Sequence, residues 1–189
     1  MQDFERFTDE ELVRAYKSGS EPAFTVLFNR YEQKLRRLIY YYVPNVDEAD
    51  DVLQEAVIRV FRHIGTFNTE KSFSSWIYQI AINCSKNHIS RGRRESLLIE
   101  QERYRMAGDR LREGSPEDLC ITEQDLEELG RSVENLKDKF KTVFILRHDH
   151  KMKYSEIAEI MKCSERTAKW RMEKALEKIA QYLSEKGVI

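Results

Sequence analysis

Residues 71–94 read KSFSSWIYQIAINCSKNHISRGRR, from Lys71 to Arg94. Ser72 stands where a helix N-cap belongs. Behind it Phe73, Trp76, Ile77, Ile80, Ala81 and Cys84 recur at helical spacing. Between and after them come Tyr78, Gln79, Asn83, Lys86, Asn87 and His88, then Arg91, Arg93 and Arg94. The spacing predicts a helix with one aromatic, apolar face and one amide-rich face that ends in a cationic cluster. Stacking surfaces, amide donors and acceptors, and phosphate-binding cations together are what holds unstacked bases on a charged backbone. An amphipathic helix with a solvated basic end has the same pattern, since aromatic stripes at this spacing mostly serve a core.

Three further helices precede this one. Thr8-Asp-Glu-Glu11 has the form of a capping box, followed by Leu12, Val13, Ala15 and Tyr16 and ended by Gly19. Pro22 suits the first turn of a second helix, whose stripe runs Phe24, Leu27, Phe28, Tyr31, Leu35, Leu38, Ile39, Tyr42 and breaks at Pro44. Asp47 is placed to cap a third, with Val52, Leu53, Ala56, Val57, Val60, Phe61 and Ile64 as its apolar side and Gly65 as its stop. Four helices on short loops make one helical domain over residues 1–94.

Residues 95–122 break the pattern. Gly108, Gly114 and Pro116 interrupt them, and Leu97, Leu98, Ile99, Tyr104 and Leu111 are too sparse for a core. They read as a linker, with room for a transient helix. The whole chain of 189 residues has a net charge of −1, but the charge is unevenly spread. Residues 1–94 carry +1, residues 95–134 carry −7 and residues 135–189 carry +5. A basic block beside a helical motif is the footprint of phosphate contact, and an acidic middle suits a tether or a basic channel.

Helical spacing returns in residues 123–189 with Leu126, Leu129, Val133 and Leu136, then from Asp138 with Phe140, Val143, Phe144, Ile145 and Leu146. His148-Asp-His150-Lys reads as a solvated loop, because two His without further nearby ligands make no metal site. Tyr154 to Met161 is a short helix with Ser155 as its expected cap. Lys162-Cys-Ser164 is a tight turn, and Glu165 to about Ser184 a longer helix. Ala158 is small where two crossed helices must approach closely, and Ile157, Met161, Cys163, Ala168 and Met172 face inward. This is a helix-turn-helix, whose second helix enters a major groove. Spacing puts Arg166, Lys169, Trp170 and Glu173 outward, with Arg171 and Lys174 at the margins. Arg166 suits a bidentate contact to guanine and Lys169 a base or phosphate contact. Lys162 occupies a turn position where Gly is usual, at a cost of about 1 kcal/mol.

The totals narrow the function. Seven Gly and three Pro favour helix over turn-rich sheet. The N-terminus is acidic and lacks the apolar core of a signal peptide, and no run is long enough for a membrane span. Cys84, Cys120 and Cys163 are odd in number and scattered, so neither a disulfide framework nor a zinc site is expected. The cytoplasm is the expected compartment. No Gly-rich phosphate loop, metal cluster or nucleophile–His arrangement points to an enzyme, and no cofactor is expected.

An all-α chain of two helical domains joined by a linker, the second a helix-turn-helix, resembles the bacterial sigma-70 family, and its brevity is similar to the extracytoplasmic-function (ECF) group. Three segments carry the resemblance: Glu48 to Phe61, similar to the core-polymerase-binding helix; Phe73 to Asn83, similar to the promoter-melting segment; and Tyr154 to Leu176, similar to the −35-reading helix-turn-helix. The resemblance implies that Asp51, Gln54 and Glu55, on one helical face, meet the β′ clamp of core RNA polymerase, with the β subunit as a further contact. It implies that the loop from Phe67 to Ser72 pockets a flipped −10 base, and that Phe73 and Trp76 shape the site. Tyr78, Gln79, Asn83, Lys86 and Asn87, with Arg91, Arg93 and Arg94, would then face single-stranded DNA. It places Arg166, Thr167, Lys169, Trp170, Arg171 and Lys174 on the −35 duplex. The linker would thread the polymerase's basic cleft, and an anti-sigma factor would restrain the protein.

The sequence departs from the family pattern at four of these places. Gln79 stands where a basic residue is frequent and Asn87 where an acidic one is. Trp170 stands where a small polar residue is usual and Glu173 where a basic one is common. Two other functions fit the residues. A conventional helix-turn-helix regulator would bind duplex without polymerase. A helical adaptor would show only weak, salt-insensitive contact with DNA.

Overall fold

In the computed structural model, residues 4–92 and 123–189 are described. Arg93, Arg94, the linker reading of 95–122 and Cys120 lie outside them. The chain divides into two units, 1–94 and 95–189, and the described residues form helices without strands.

The first unit holds α1 (Asp9–Lys17), α2 (Glu21–Tyr40), α3 (Val46–His63) and α4 (Phe73–Gly92), with 3-10 turns at Phe4–Arg6 and Ile64–Thr66. α1 starts on the expected capping box: Thr8 accepts the Glu11 N–H at 3.2 Å while Glu11 accepts the Thr8 N–H at 2.7 Å. It ends at Gly19, whose φ of +99° is the left-handed conformation that closes a helix. α2 buries Ala23, Leu27, Tyr31, Leu35, Leu38 and Ile39, a stripe spaced three or four residues apart that packs on α1, α3 and α4. The cap of α3 is Asn45, accepting the Glu48 N–H at 3.1 Å. Asp47, expected there, lies two residues further on, in the first turn of α3. Its carboxylate favours the positive helix end without capping it.

Phe61 is a second correction. It sits 57% exposed rather than in the core. The buried side of α3 runs Val52, Leu53, Ala56, Val60, which leaves Phe61 about 100° away from Val60.

The second unit holds α5 (Glu123–Glu134), α6 (Asp138–Phe144), α7 (Tyr154–Ile160) and α8 (Glu165–Glu185). α6, α7 and α5 all pack on α8. Two expectations change here. Ser155 is inside α7, and the chain enters that helix at Lys153, whose N–H donates to Glu156 at 2.7 Å. The His148–Lys151 stretch is no solvated loop. Residues Ile145–Asp149 form a π-turn, with His150 N–H reaching back to the Ile145 carbonyl at 3.2 Å. The widened turn brings the Asp149 and His150 side chains to 5% exposure and stacks His148 on Phe144 at 5.0 Å.

Candidate nucleic-acid interfaces

α4 is capped twice. Ser72 accepts the Ser75 N–H at 3.1 Å, as its position predicted, and Glu10 of α1 accepts the Phe73 N–H at 3.0 Å. The helix buries Phe73, Ile77, Tyr78, Ala81, Ile82 and Cys84. Trp76, Gln79, Ile80 and Lys86 are half-buried, and Asn83, Asn87 and Arg91 exposed. Trp76, Gln79, Asn83, Lys86, Asn87 and Arg91 follow spacings of three and four and so share one outward face. Tyr78, expected to face DNA, is not on it, and neither is Phe73, expected to shape the site. Tyr78 is 1% exposed, set edge-on to Tyr31 at 6.3 Å. Phe73 is equally buried, 5.6 Å from Tyr31 and 5.7 Å from Phe67. Both side chains lie beneath that face.

The loop that precedes α4 is pinned. Phe67 is buried under Phe73 and lies 4.9 Å from Trp76. Lys17 of α1 donates to the Phe67 carbonyl at 2.6 Å. Asn68 accepts the Glu70 N–H at 2.9 Å, and Lys71 N–H donates to the Asn68 carbonyl at 3.0 Å. Half-exposed Trp76 therefore stands beside a loop whose backbone is held on both sides. Burial pushes the Cys84 thiol beneath this face above its ordinary range.

A second surface lies on α3. Asp51 and Gln54 are exposed and Glu55 half-buried, paired with Arg59. The same face continues through Ile58, half exposed, to Phe61. Phe61 meets Phe24 edge-on at 5.6 Å and Tyr16 at 6.2 Å. Helical spacing of four from Gln54 to Ile58 and of three on to Phe61 carries this apolar extension, but read from the sequence alone Phe61 falls on the core side.

On the second unit, α7 ends in a Schellman turn. Cys163 N–H donates to the Ala158 carbonyl at 2.9 Å and Lys162 N–H to the Glu159 carbonyl at 3.2 Å, with Lys162 at φ 49°. Ser164 then caps α8, accepting the Thr167 N–H at 3.1 Å. Ala168, Met172 and Ala175 face inward, leaving Arg166, Lys169, Trp170 and Glu173 exposed and Arg171 and Lys174 at the margin. Thr167 is half-buried and its hydroxyl lies 2.8 Å from that of Ser164, so it serves the cap. Lys169 pairs with Glu165 at 3.0 Å and Lys174 with Glu177. Among the described residues neither Arg166 nor Arg171 makes an ion pair. Sequence reasoning missed Arg147 and Tyr154. The Arg147 guanidinium lies 4.9 Å and the Lys169 ammonium 5.8 Å from the centroid of the Tyr154 ring, extending the positive surface. Arg147 and Tyr154 stand in separate helical segments, so helical periodicity does not link them.

One unit thus offers an amide-rich face beside an aromatic, the other a helix whose Arg166 and Arg171 make no ion pair among the described residues. Residues 27–95 match the family model for sigma-70 region 2, and residues 126–179 that for sigma-70 region 4. The ECF RNA polymerase sigma-E factor of Escherichia coli (strain K12) is 34% identical over 180 residues, covering 93% of this chain and 94% of that protein. The factor of the same description from Haemophilus influenzae is also 34% identical, over 93% and 95%. In solved structures the fold recurs in CnrH bound to the cytosolic domain of CnrY, with a TM-score of 0.69 at 19% identity over 94% of this chain and 97% of that one. It recurs in the sigma factor RpoE bound to the anti-sigma factor NepR from Bartonella quintana, with a TM-score of 0.63 at 18% identity over 85% and 96%.

The chain belongs to the ECF group of sigma-70 family RNA polymerase sigma factors, and is a transcription initiation factor rather than an enzyme. Among the described residues no helix is long and apolar enough to cross a membrane.

Proposed function

We propose that this sigma factor docks on core RNA polymerase through Asp51, Gln54 and Glu55 on α3, with Ile58 and Phe61 as an apolar extension against the β′ clamp. α8 reads the −35 element as duplex, with Arg166, Lys169 and Trp170 outward and Arg171 and Lys174 on phosphates. Gln79, Asn83, Lys86 and Asn87 on α4, beside Trp76, hold −10 bases as single strand, with Arg91, Arg93 and Arg94 on the backbone. The observation that carries this reading is the different chemistry of the two faces. Amides beside an aromatic suit unpaired bases, while free guanidinium groups on a helix-turn-helix suit duplex.

The mechanism is differential binding. Base extrusion costs a few kcal/mol, and stacking plus amide hydrogen bonds on α4 offset it only when the strand is open. The open complex is therefore stabilised relative to the duplex. The charge of the acidic segment 95–122 suits the polymerase's basic cleft, and the β subunit is a further contact of the factor. The factor acts in the cytoplasm and is restrained by an anti-sigma factor, as RpoE of Bartonella quintana is bound by NepR.

Mixing the protein with bacterial core RNA polymerase tests the reading. Co-elution is expected, and Gln54→Ala with Glu55→Ala should weaken it about tenfold or more. A folded protein that fails to co-elute would sink the docking assignment and favour a polymerase-independent regulator.

A further inference from the structure

Trp170 is an odd residue to find at the centre of the outward face of α8. It is 45% exposed, and the charged Arg166, Lys169 and Glu173 surround it on the helix surface. Its ring is not loose. It meets Phe140 of α6 at 6.1 Å and 61°, an edge-on pair, and the Lys139 ammonium lies 5.9 Å from its centroid and 5.0 Å from that of Phe140. Phe140 itself is buried. The indole is therefore braced from a second helix while nearly half its surface stays in solvent. A braced aromatic loses little conformational entropy when it docks, which is what a recognition contact needs.

The chemistry around Trp170 selects what it docks on. Arg166 and Arg171 have no ion-pair partner among the described residues, so the surface it enters is anionic. In a major groove the apolar group offered by a base edge is the 5-methyl of thymine. Arginine and lysine read acceptors and phosphates, and cannot sense that methyl.

We propose that Trp170 is a specificity-determining residue of α8 that reads the 5-methyl group of one thymine in the −35 element, with Phe140 and Lys139 as its positioning residues. This rests on the assignment of α8 to −35 duplex. The consequence is a preference for one A·T pair at a defined position, independent of the hydrogen bonds made by Arg166 and Lys169. Phe140→Leu would blunt that preference by releasing the indole.

The test removes the methyl from the DNA rather than a side chain from the protein. Holoenzyme formed with core RNA polymerase selects its −35 sequence from a promoter library randomised there. Each thymine of the selected element is then replaced, one at a time, by deoxyuridine. At one position the loss of the methyl should weaken wild-type binding about three- to fourfold and leave Trp170→Ser binding unchanged, with Trp170→Phe between. A selected element without thymine, or methyl effects equal in wild type and Trp170→Ser, would overturn the proposal. So would Trp170→Ser that weakens co-elution with core polymerase and not the methyl effect, which would make Trp170 a protein contact. Arg166→Ala separates the two levels. If it lowers −35 affinity while no methyl discriminates, only the Trp170 assignment falls. If it leaves −35 dependence untouched, the placement of α8 on the duplex falls too.

Discussion

Glu10 of α1 accepts the backbone N–H of Phe73, the first residue of α4, at 3.0 Å. A helix leaves its first N–H groups without partners, and here one is satisfied by a carboxylate 63 residues away in sequence. The negative charge also sits at the positive end of the helix. The start of the proposed strand-capturing helix is thereby fixed to α1, which also holds the Phe67 carbonyl through Lys17. Glu10→Ala is expected to destabilise the first unit by about 1 kcal/mol. The urea midpoint checks the size, and faster hydrogen exchange at the Phe73 amide checks the place. Unchanged exchange there would show that the bond contributes nothing.

Phe61 is exposed although the adjoining Val60 is core. Phe61→Ser should cost the free protein only its ring contacts with Phe24 and Tyr16, about 1 kcal/mol, yet reduce affinity for core polymerase roughly tenfold. A drop in stability as large as that of a core truncation would return Phe61 to a structural role.

Asn83 and Lys86 face outward on α4, whereas Tyr78 is buried. Asn83→Ala with Lys86→Ala should lower the yield of open complex about tenfold with little effect on binding to closed duplex promoter. Permanganate reactivity of −10 thymines and a gel shift separate the two steps, and equal loss of both would count against strand capture. Tyr78→Ala should instead cost about 3–5 kcal/mol of stability.

Lys162 is the one residue of the helix-turn-helix turn at positive φ, 49°. The Schellman bonds around it are made by backbone alone. Lys162→Gly should relieve about 1 kcal/mol of strain and raise the melting temperature of the second unit, without altering −35 preference. Calorimetry that shows destabilisation would mean the Lys162 side chain contributes more than the strain it imposes.

Tyr31 and Cys84 are both held neutral in the first unit. Burial, then the hydrogen bond Tyr31 donates to Asp9 and the charge of Asp9, push the phenol well above its ordinary 10.0. Burial pushes the Cys84 thiol above 9.0. The unfolded chain releases both protons at the ordinary values, so above those values it binds fewer protons than the folded chain. Stability then falls with rising pH. This contribution is complete below the ordinary values and is lost as pH climbs through the folded ones. In a Trp170→Phe background, Trp76 fluorescence reports the first unit. Its urea midpoint should hold to about pH 8.5 and decline above ~9, and Cys84→Ala should remove the earliest part of the decline. A midpoint that stays flat to about pH 10.5 would contradict the account.

The sequence alone determined the helices and their order. Ser72, Thr8 with Glu11, Gly19 and Pro22 mark ends by chemistry that acts within four residues, and apolar spacing marks the buried side of each helix. It also determined which residues of α8 point outward, since Ala168, Met172 and Ala175 claim the inner side. The tertiary structure decided what periodicity cannot carry, namely which neighbour covers a given face. Asn45 rather than Asp47 capped α3, because the cap depends on backbone conformation at the turn. Tyr78 went inward against Tyr31, and Phe61 outward beside Phe24 and Tyr16, contacts that only the packing of α1 to α4 sets. The π-turn at Ile145–Asp149 took His148 to His150 out of solvent. The bracing of Trp170 by Phe140 and Lys139 joins residues 30 positions apart, beyond the reach of any local signal. Local hydrogen bonding and burial pattern act along the chain, whereas packing and long-range capping act across it, and the proposed sites depend on both.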